Sequence, residues 1–357
     1  MVYAPVLIPT LCRFDKFVTC FESLQNNSWA NHTDVFVALD CPTRESHQEG
    51  YRKIKEYCEQ LISSGKSNFK SVTLICRSRN LGAIGNFERL VSDTLKRYGR
   101  CICTFDDIEH SPNFIQYMDE MLEKLESDHS VFMVTGYSYP VKWQTAEGCN
   151  AVRQNLEGSI WGIGFWEPEW EEMLRYLRSG QLIKQFPAVF RKSRFAGMTD
   201  WAVKDYVNAV VQGAAVNSLL KRVTDIAMRI YLSAAEKYSV MPTVSKTRNL
   251  GFDGSGAYCE AIQYDEASDV DSSNYRFDLQ PIDDSASFVP EVDLHFDNAA
   301  NLPLINRFDR RPEGEREELL AKAEAYSSLS SLERRYLNIR ATAARAAGKM
   351  ERIIKRG

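Results

Sequence analysis

The first 135 residues alternate short aliphatic runs with longer amphipathic segments, and this alternation limits the possible folds more than any other feature. Five runs have the length and composition of β-strands: APVLIPT (4–10), DVFVAL (34–39), SVTLIC (71–76), RCICTF (100–105) and VFMVTG (131–136). The intervening segments 16–25, 46–64, 84–98 and 112–126 carry helical periodicity. Strands alternating with helices predict an α/β fold, with a mostly parallel sheet flanked by helices.

Composition is that of an ordinary soluble globular protein, with 44% hydrophobic and 26% charged residues among 357. The net charge of -4 argues against a nucleic-acid partner held by overall charge. Nine scattered cysteines without a CxxC pair indicate free thiols in a reducing compartment. The chain begins without a signal-peptide pattern and has no long apolar run, so we expect a cytoplasmic protein.

Polar residues follow the predicted strands, at the carboxyl ends where parallel sheets bind their ligands. They are Pro9, Thr10 and Arg13 after the first strand, Asp40 after the second, Arg77, Asn80, Gly82 and Asn86 after the third, and Asp106, Asp107 and Glu109 after the fourth. The loop after the third strand runs into a helix N-terminus, where backbone N–H groups and arginine suit a phosphate.

Asp106 and Asp107 place two adjacent carboxylates at the end of a buried strand, which is costly unless a cation lies nearby. Mg²⁺ and Mn²⁺ prefer oxygen ligands, and often take one or two protein carboxylates together with substrate phosphates. The FDDIE motif therefore predicts half of a metal site that a diphosphate completes. A simple turn leading into the helix at 112–126 is the alternative.

Two further features allow two interpretations each. Asp40 in VFVALDCP could accept the imide N–H of a uracil, or could be a turn residue before Pro42. In WGIGFWEPEWEEM, Trp161, Gly162 and Trp166 are predicted to border an acceptor cleft, because sugar faces stack on tryptophan and glycine permits close approach. Packing of a helix over 167–178 against the sheet is the alternative, and we expect Trp170 to lie in the core.

Five segments resemble, in the right order, the landmarks of GT-A fold glycosyltransferases, in particular bacterial polysaccharide enzymes related to the N-acetylglucosaminyltransferase I group. The segments are APVLIPTLCRFDKFVTCFESLQNN, VFVALDCP, RNLGAIGNFERL, CTFDDIEHSPNFIQYM and WGIGFWEPEWEEM, and the resemblance covers about residues 4–255. It implies metal-dependent, inverting transfer of a sugar from a nucleotide diphosphate, most simply a UDP-sugar, to a saccharide or lipid-linked saccharide acceptor.

The resemblance also implies roles for individual residues. Arg13 would contact the nucleotide, Asp40 would read uracil, Asn86 would lie near the uridine, Asp107 would bind Mn²⁺ or Mg²⁺, and Asp106 would lie near the donor sugar. In TDIAMRIYLSAAEKYSVMPTVSKTRNLGFDGSG, Asp225 matches the catalytic base, Arg229 the arginine after it, and Ser245, Lys246 and Thr247 the donor-side loop. Asp200 in MTDW is the rival base.

The chain departs from the pattern of this group at two positions. Phe105 stands where the acidic motif has another acid, and Tyr258 where bacterial relatives often have a histidine. These departures favour one rival reading, a catalytically silent scaffold or binding protein. A second rival is a sugar nucleotidyltransferase, which would need a glycine-rich loop after the first strand, whereas IPTLCRFDK has no glycine.

We expect four regions along the chain. Residues 1–136 form the half that binds the nucleotide sugar, 137–255 the acceptor-binding and catalytic half, 256–306 an acidic linker, and 307–357 a basic amphipathic helical tail. The tail could bind an anionic membrane surface or join two copies of the chain. The predicted setting is capsule, O-antigen or other surface-polysaccharide assembly, in the cytoplasm or on the inner face of the cell membrane.

Overall fold

The computed structural model describes residues 2–156, 158–181, 203, 221–253, 255, 277–306 and eight residues between 317 and 333. Asp200, Tyr258 and most of the basic tail lie outside the described residues, so the predictions for them stay predictions. In the described part of the chain, no helix is both long enough and apolar enough to cross a membrane.

Nine strands form one sheet in the described residues. They are β1 (Val6–Thr10), β2 (Asp34–Leu39), β3 (Ser71–Cys76), β4 (Arg100–Cys103), β6 (Val131–Thr135), β7 (Ala151–Gln154), β8 (Ile163–Trp166), β9 (Tyr238–Pro242) and β11 (Val292–Asp293). The strand order is β11-β7-β9-β6-β8-β4-β1-β2-β3. Five pairings are parallel, and the antiparallel ones are β4–β8, β6–β8 and β7–β9. Strands β5 (Ile108–His110) and β10 (Thr247–Asn249) pair separately as an antiparallel ribbon.

Helices cover both faces of this sheet. They are α1 (Phe14–Gln25), α2 (Glu45–Ser64), α3 (Gly82–Tyr98), α4 (Phe114–Leu125), α5 (Glu167–Arg178), α6 (Asp225–Ala234) and α7 (Asn298–Asn306). In β1, Leu7 joins the apolar cluster of α3, α5 and α6, whereas Val6 and Ile8 join that of α1, α2 and α4. Burial on both faces explains the uninterrupted apolar runs, and the predicted α/β fold with a mostly parallel, helix-flanked sheet is confirmed.

The described part of the acidic segment differs from the loose linker that the sequence predicted. Strand β11 pairs with β7, and Gln116 Nε2 donates to Phe288 O at 2.8 Å. Asn301 Nδ2 donates to Gln144 O at 3.1 Å. Residues 277–306 are therefore packed onto the domain, through partners too distant in the chain for local composition to reveal.

Asp119 of α4 is a carboxylate buried at the amino end of the sheet. Its Oδ1 accepts the backbone N–H of Ala4 at 2.8 Å, and its Oδ2 has no hydrogen-bond partner among the described residues. Burial raises the pKa of Asp119 to about 7, although the Ala4 N–H and the Arg100 charge oppose the shift.

The folded chain should therefore lose stability relative to an Asp119→Asn variant as the pH rises from about 4 to about 7. The folded state binds the proton of the Asp119 carboxyl more tightly than the unfolded state does. The contribution of this group to the free energy of unfolding is therefore complete at low pH. It falls by up to about 1.4 kcal/mol per pH unit in that window. Urea unfolding of both proteins at pH 5, 6 and 7 measures the difference, with Glu120→Gln as control. A difference that does not change with pH would contradict the prediction.

Candidate functional site

The acidic pair Asp106–Asp107 lies beside the residues that follow β1. Strands β1 and β4 are parallel neighbours, so their carboxyl ends meet. Thr10 Oγ1 donates to Asp106 Oδ2 at 2.7 Å. Arg13 forms an ion pair with Asp106 through Nη2, and with Asp107 Oδ2 through Nη1 at 2.9 Å. The structure thus brings together four residues that the sequence placed at separate strand ends.

This group lies at the point where the strand order of the sheet reverses. From β1 the chain adds β2 and then β3 on one side, and it adds β4 on the other side of β1. Loops diverge from such a point and leave a crevice at the carboxyl ends of the strands, which is where open α/β sheets bind ligands.

Arg13 supplies the positive charge that two adjacent carboxylates require. The side chains of Asp106 and Asp107 are only 7% and 14% exposed. Burial raises the pKa of Asp106, as does the charge of Asp107, while Arg13 opposes the rise. Burial would lower the pKa of Arg13, but the two carboxylates outweigh it and raise that pKa above its ordinary value. Arg13 is therefore charged and neutralises much of the acidic pair.

One carboxylate oxygen of Asp107 is not engaged by Arg13. Its Oδ1 accepts no hydrogen bond from the described residues, whereas Oδ2 faces Arg13. The described residues contain no group of three or more His, Cys, Asp or Glu side chains placed to bind a metal. Phe105 adds no side-chain ligand, because phenylalanine has no oxygen, and its ring packs on Phe87 with centroids 5.5 Å apart. Asp107 thus fits a Mg²⁺ or Mn²⁺ ion whose remaining ligands are water and a diphosphate.

The ribbon of β5 and β10 joins the acidic pair to the SKTRNLG segment. Arg248 pairs with Glu109 in the ribbon, and its Nη2 lies 2.6 Å from Glu109 Oε2. Leu250 N donates to Asp107 O at 2.8 Å. A Cβ added to Gly251 would collide with Oδ2 of Asp107, so glycine is what lets this backbone lie against the carboxylate. Gly251 and Arg248 were not singled out by the sequence, which indicated Glu109 only as an acid after the fourth strand.

Ser245 and Lys246, which were predicted in the donor-side loop, make contacts inside the protein. Lys246 is 2% exposed, and its ammonium is paired with Asp283 and lies 4.6 Å from the ring centroid of Phe288. Ser245 Oγ donates to Thr247 O at 2.7 Å. These contacts fix β10 to the 277–306 segment, and the Lys246 ammonium is not brought to the acidic pair.

Asp40 closes the loop that leads into α3. The residue is 3% exposed and accepts the backbone N–H groups of Leu81 and Gly82, each at 2.9 Å. Asn80 Nδ2 donates to Cys41 O at 2.6 Å and ties the same loop to the end of β2. Both carboxylate oxygens of Asp40 are thus engaged by the backbone at the start of α3.

Asn86 and Arg77 are bonded to each other beneath this loop. Arg77 Nε donates to Asn86 Oδ1 at 2.9 Å, and Asn86 Nδ2 donates to Ala38 O at 2.8 Å. Burial lowers the pKa of Arg77, and its Nη2 has no hydrogen-bond partner among the described residues. Both residues therefore brace the carboxyl ends of β2 and β3.

The two tryptophans predicted to border the acceptor cleft lie at opposite ends of β8. Trp161 precedes the strand, and its carbonyl accepts Thr247 Oγ1 at 2.9 Å. Trp166 ends the strand opposite Arg100, is 3% exposed, and donates Nε1–H to Leu122 O at 3.0 Å. Because β8 runs antiparallel to β4, Trp166 is carried to the amino end of β4, far from the acidic pair. The expectation for Trp166 is corrected accordingly.

Gly162 and Trp170, which neighbour these tryptophans, both pack inside the protein. Gly162 has φ +77, and a Cβ there would approach the Phe114 ring to 2.8 Å, so the position requires glycine. Trp170 is fully buried, as predicted, and donates Nε1–H to Ser92 Oγ at 2.9 Å.

Asp225 is the first residue of α6, where the structure places it in the first turn and exposed. Thr224 caps the helix by accepting Ala227 N at 3.0 Å. Arg222 Nη2 lies 4.0 Å from the position of a Cβ on Gly85, which puts the start of α6 close to the start of α3. Arg229 lies one turn further along α6. The rival base Asp200 lies outside the described residues.

No protein-family model matches the chain, and no curated protein matches it. Among solved structures, S. aureus TarS is similar at 14% identity, with 47% of this chain and 29% of that chain covered and a TM-score of 0.32. S. aureus TarS 1-349 is similar at 14% identity, with 48% of each chain covered and a TM-score of 0.31.

The mannosyltransferase PcManGT from Pyrobaculum calidifontis, in complex with GDP-Man and Mn²⁺, is similar at 13% identity, with 49% of this chain and 46% of that chain covered and a TM-score of 0.32. This chain thus spans less than half the length of each of the three structures. The three TM-scores are too low for these likenesses to support a conclusion about the chain.

Proposed function

We propose that the chain is a GT-A type glycosyltransferase that moves a sugar from a nucleotide diphosphate, most simply UDP, to a saccharide or lipid-linked saccharide acceptor. One observation carries the proposal: the acidic pair lies at the reversal point of the strand order, between Arg13 and the backbone of Gly251. A diphosphate placed there would meet the guanidinium of Arg13. It could also share a divalent cation with the carboxylate of Asp107.

The nucleotide would lie over the carboxyl ends of β1, β2 and β3. Pro9, Thr10 and Arg13 line its diphosphate end, while the loop braced by Asp40, Asn80 and Asn86 lines its base end. The start of α3 lies near this path, where Asp40 holds the backbone N–H groups of Leu81 and Gly82. UDP is preferred over other nucleotides on the sequence resemblance alone.

The chemistry asks two things of the protein. The leaving diphosphate needs its growing charge neutralised, for which Arg13 is placed, and a Mg²⁺ or Mn²⁺ ion on Asp107 would add Lewis-acid assistance when bound. The acceptor hydroxyl must lose its proton as it attacks the anomeric carbon from the face opposite the diphosphate. Asp225 is the proposed base, with Asp200 as its rival, and the result is inversion.

A catalytically silent binding protein is the second candidate function. It is favoured by the ion pairs of Arg13 with both carboxylates, which leave the acidic pair largely neutralised without a metal ion. Phe105, which packs as an apolar ring on Phe87, favours it as well. The glycosyltransferase proposal includes a setting in surface-polysaccharide assembly. It also includes a role for the basic tail, either at a membrane surface or between two copies of the chain.

Calorimetric titration with UDP and GDP, each with and without Mn²⁺, tests the proposal together with an assay for UDP release from UDP-sugars. We expect Mn²⁺ to tighten UDP binding by about tenfold or more, equivalent to at least roughly 1.4 kcal/mol. Slow UDP release without an acceptor should accompany this binding. If no nucleotide binds under any condition, the transferase is excluded and the binding protein remains.

A further inference from the structure

Three partly exposed aromatic rings from distant parts of the chain meet close to Asp107. Trp161 precedes β8, Phe252 follows β10, and Phe277 begins the short 3-10 helix at 277–279. Their ring centroids are separated by 5.7 Å for Trp161 and Phe252, 5.9 Å for Trp161 and Phe277, and 5.6 Å for the two phenylalanines. We call these three residues the aromatic corner.

The aromatic corner has two walls. The rings of Phe252 and Phe277 are tilted by only 34° to each other, and they stand at 75° and 71° to the Trp161 ring. The buried ring of Tyr137 supports Trp161 with its centroid 4.5 Å away. Three large rings of this kind would ordinarily be buried, so their shared partial exposure marks a surface that can cover an apolar ligand face.

Hydrogen bonds and close packing hold the aromatic corner next to the acidic pair. Gly251, which lies against the Asp107 carboxylate, directly precedes Phe252. Thr247 Oγ1 bonds to the carbonyl of Trp161 at 2.9 Å. Arg248 Nη1 donates to Gln280 O at 3.5 Å, in the turn that also contains Phe277. A ligand on the aromatic corner would therefore lie within reach of chemistry at Asp107.

The strand order indicates which part of a substrate belongs on the aromatic corner. The candidate nucleotide contacts follow β1, β2 and β3, on one side of β4. Trp161 precedes β8 and Tyr137 follows β6, and both strands lie on the other side of β4. A nucleobase at the ends of β2 and β3 is thus separated from the aromatic corner by the acidic pair. The aromatic corner is therefore available to the group that receives the transferred sugar.

We propose that the aromatic corner binds the C–H face of a pyranose ring, and that this ring belongs to the saccharide acceptor. A pyranose presents a flat face of C–H groups to an aromatic ring, and directs its hydroxyl groups outward, toward polar groups such as those around Asp107. The identification of the saccharide as the acceptor rests on the proposed function, whereas saccharide binding itself does not.

Saturation-transfer NMR with methyl glycosides of glucose, galactose, mannose and N-acetylglucosamine tests the proposal, with UDP calorimetry run on the same protein samples. For at least one glycoside, we expect the strongest signals from the ring C–H protons. Phe252→Leu and Phe277→Leu keep an apolar side chain but lose the ring, and should weaken glycoside binding by about 3- to 10-fold. Phe252→Tyr and Phe277→Tyr should retain the binding.

Trp29→Leu is the matched control. Trp29 is also partly exposed, with ring contacts to Tyr3 at 5.5 Å, but it precedes β2 and so lies at the amino ends of the strands. Its replacement should leave glycoside binding unchanged. The proposal would be overturned if no glycoside gives a signal with the unaltered protein. It would also be overturned if both leucine variants give signals as strong as those of the unaltered protein.

The UDP titrations separate this proposal from the proposed function. If the leucine variants lose UDP affinity and keep glycoside binding, the aromatic corner holds a nucleobase and the proposal fails. If the unaltered protein binds glycosides but no nucleotide, the transferase function fails while the saccharide site stands.

Discussion

Replacing Asp107 with asparagine should lower the rate of sugar transfer by roughly 100- to 1,000-fold. This is the usual effect of removing one protein group that helps to stabilise charge in the transition state. Asparagine has the shape of aspartate, so the packing of Gly251 and the bond from Leu250 N to the backbone carbonyl of residue 107 are kept. What disappears is the negative charge. The variant has a neutral amide oxygen, a weaker ligand for a divalent ion than a carboxylate, and Arg13 loses one of its two charged partners.

The measurement pairs turnover of the UDP-sugar with UDP binding in the presence and absence of Mn²⁺. In the unaltered protein Mn²⁺ should tighten UDP binding, and in Asp107→Asn this gain should be lost, while binding without metal changes little. Circular dichroism and thermal unfolding would establish that the variant is folded.

Glu109→Gln is the matched control for Asp107→Asn, because Glu109 is an acid two residues away whose carboxylate is engaged by Arg248 at 2.6 Å. We expect its turnover and its response to Mn²⁺ to stay within about twofold of the unaltered protein, because glutamine keeps an oxygen that can accept the hydrogen bonds of Arg248. Equal losses in both variants, or an undiminished effect of Mn²⁺ in Asp107→Asn, would contradict the role given to Asp107.

The position of the acidic pair was predictable from the sequence because it depends on local pattern and a general rule. The run at 100–105 is uninterrupted and apolar, which is typical of a strand covered on both faces, and polar residues follow it directly. Ligand-binding residues of such sheets gather at the carboxyl ends of the strands. The same reasoning placed Thr10 and Arg13 nearby, and the ion pairs of Arg13 agree with it.

The direction of a strand was not predictable, and Trp166 shows the consequence. The segment WGIGFW reads as one short aromatic-rich unit, so both of its ends were expected near the acceptor. Its pairing with β4 is antiparallel, which sends Trp166 to the amino end of β4 and leaves only Trp161 near Asp107. A four-residue strand carries no sequence signal for its orientation, because orientation depends on partners elsewhere in the chain.

Pairs of residues far apart in the sequence were also beyond prediction. Arg248 and Glu109 lie 139 residues apart, and each could be a solvated surface charge when taken alone. His110, beside the acidic motif, is buried between hydrogen bonds to Thr104 and Ser23, and burial lowers its pKa to about 3. From the sequence alone, a histidine just before a helix is expected to be exposed. These residues acquire their roles only through β5 and β10, whose three-residue strands are too short to recognise in advance.

Replacing Asp225 with asparagine should lower kcat by roughly 100- to 10,000-fold, the range that general-base catalysis contributes, and should leave UDP binding unchanged. Asp225 lies exposed in the first turn of α6, where the aligned peptide dipoles favour a negative side chain. The proximity of Arg222 to Gly85 places this turn near the start of α3, at the edge of the sheet formed by the carboxyl ends of the strands. An exposed carboxylate can reach an acceptor hydroxyl without disturbing the core.

Three comparisons make this prediction specific. Asp15→Asn removes an exposed first-turn aspartate from α1, and should leave kcat unaltered. Asp200→Asn tests the rival base: if this variant loses kcat and Asp225→Asn does not, the assignment to Asp225 is wrong. The pH profile of kcat gives the decisive reading, because a missing base removes the acidic limb of that profile, whereas a purely structural defect lowers the whole curve and keeps its shape.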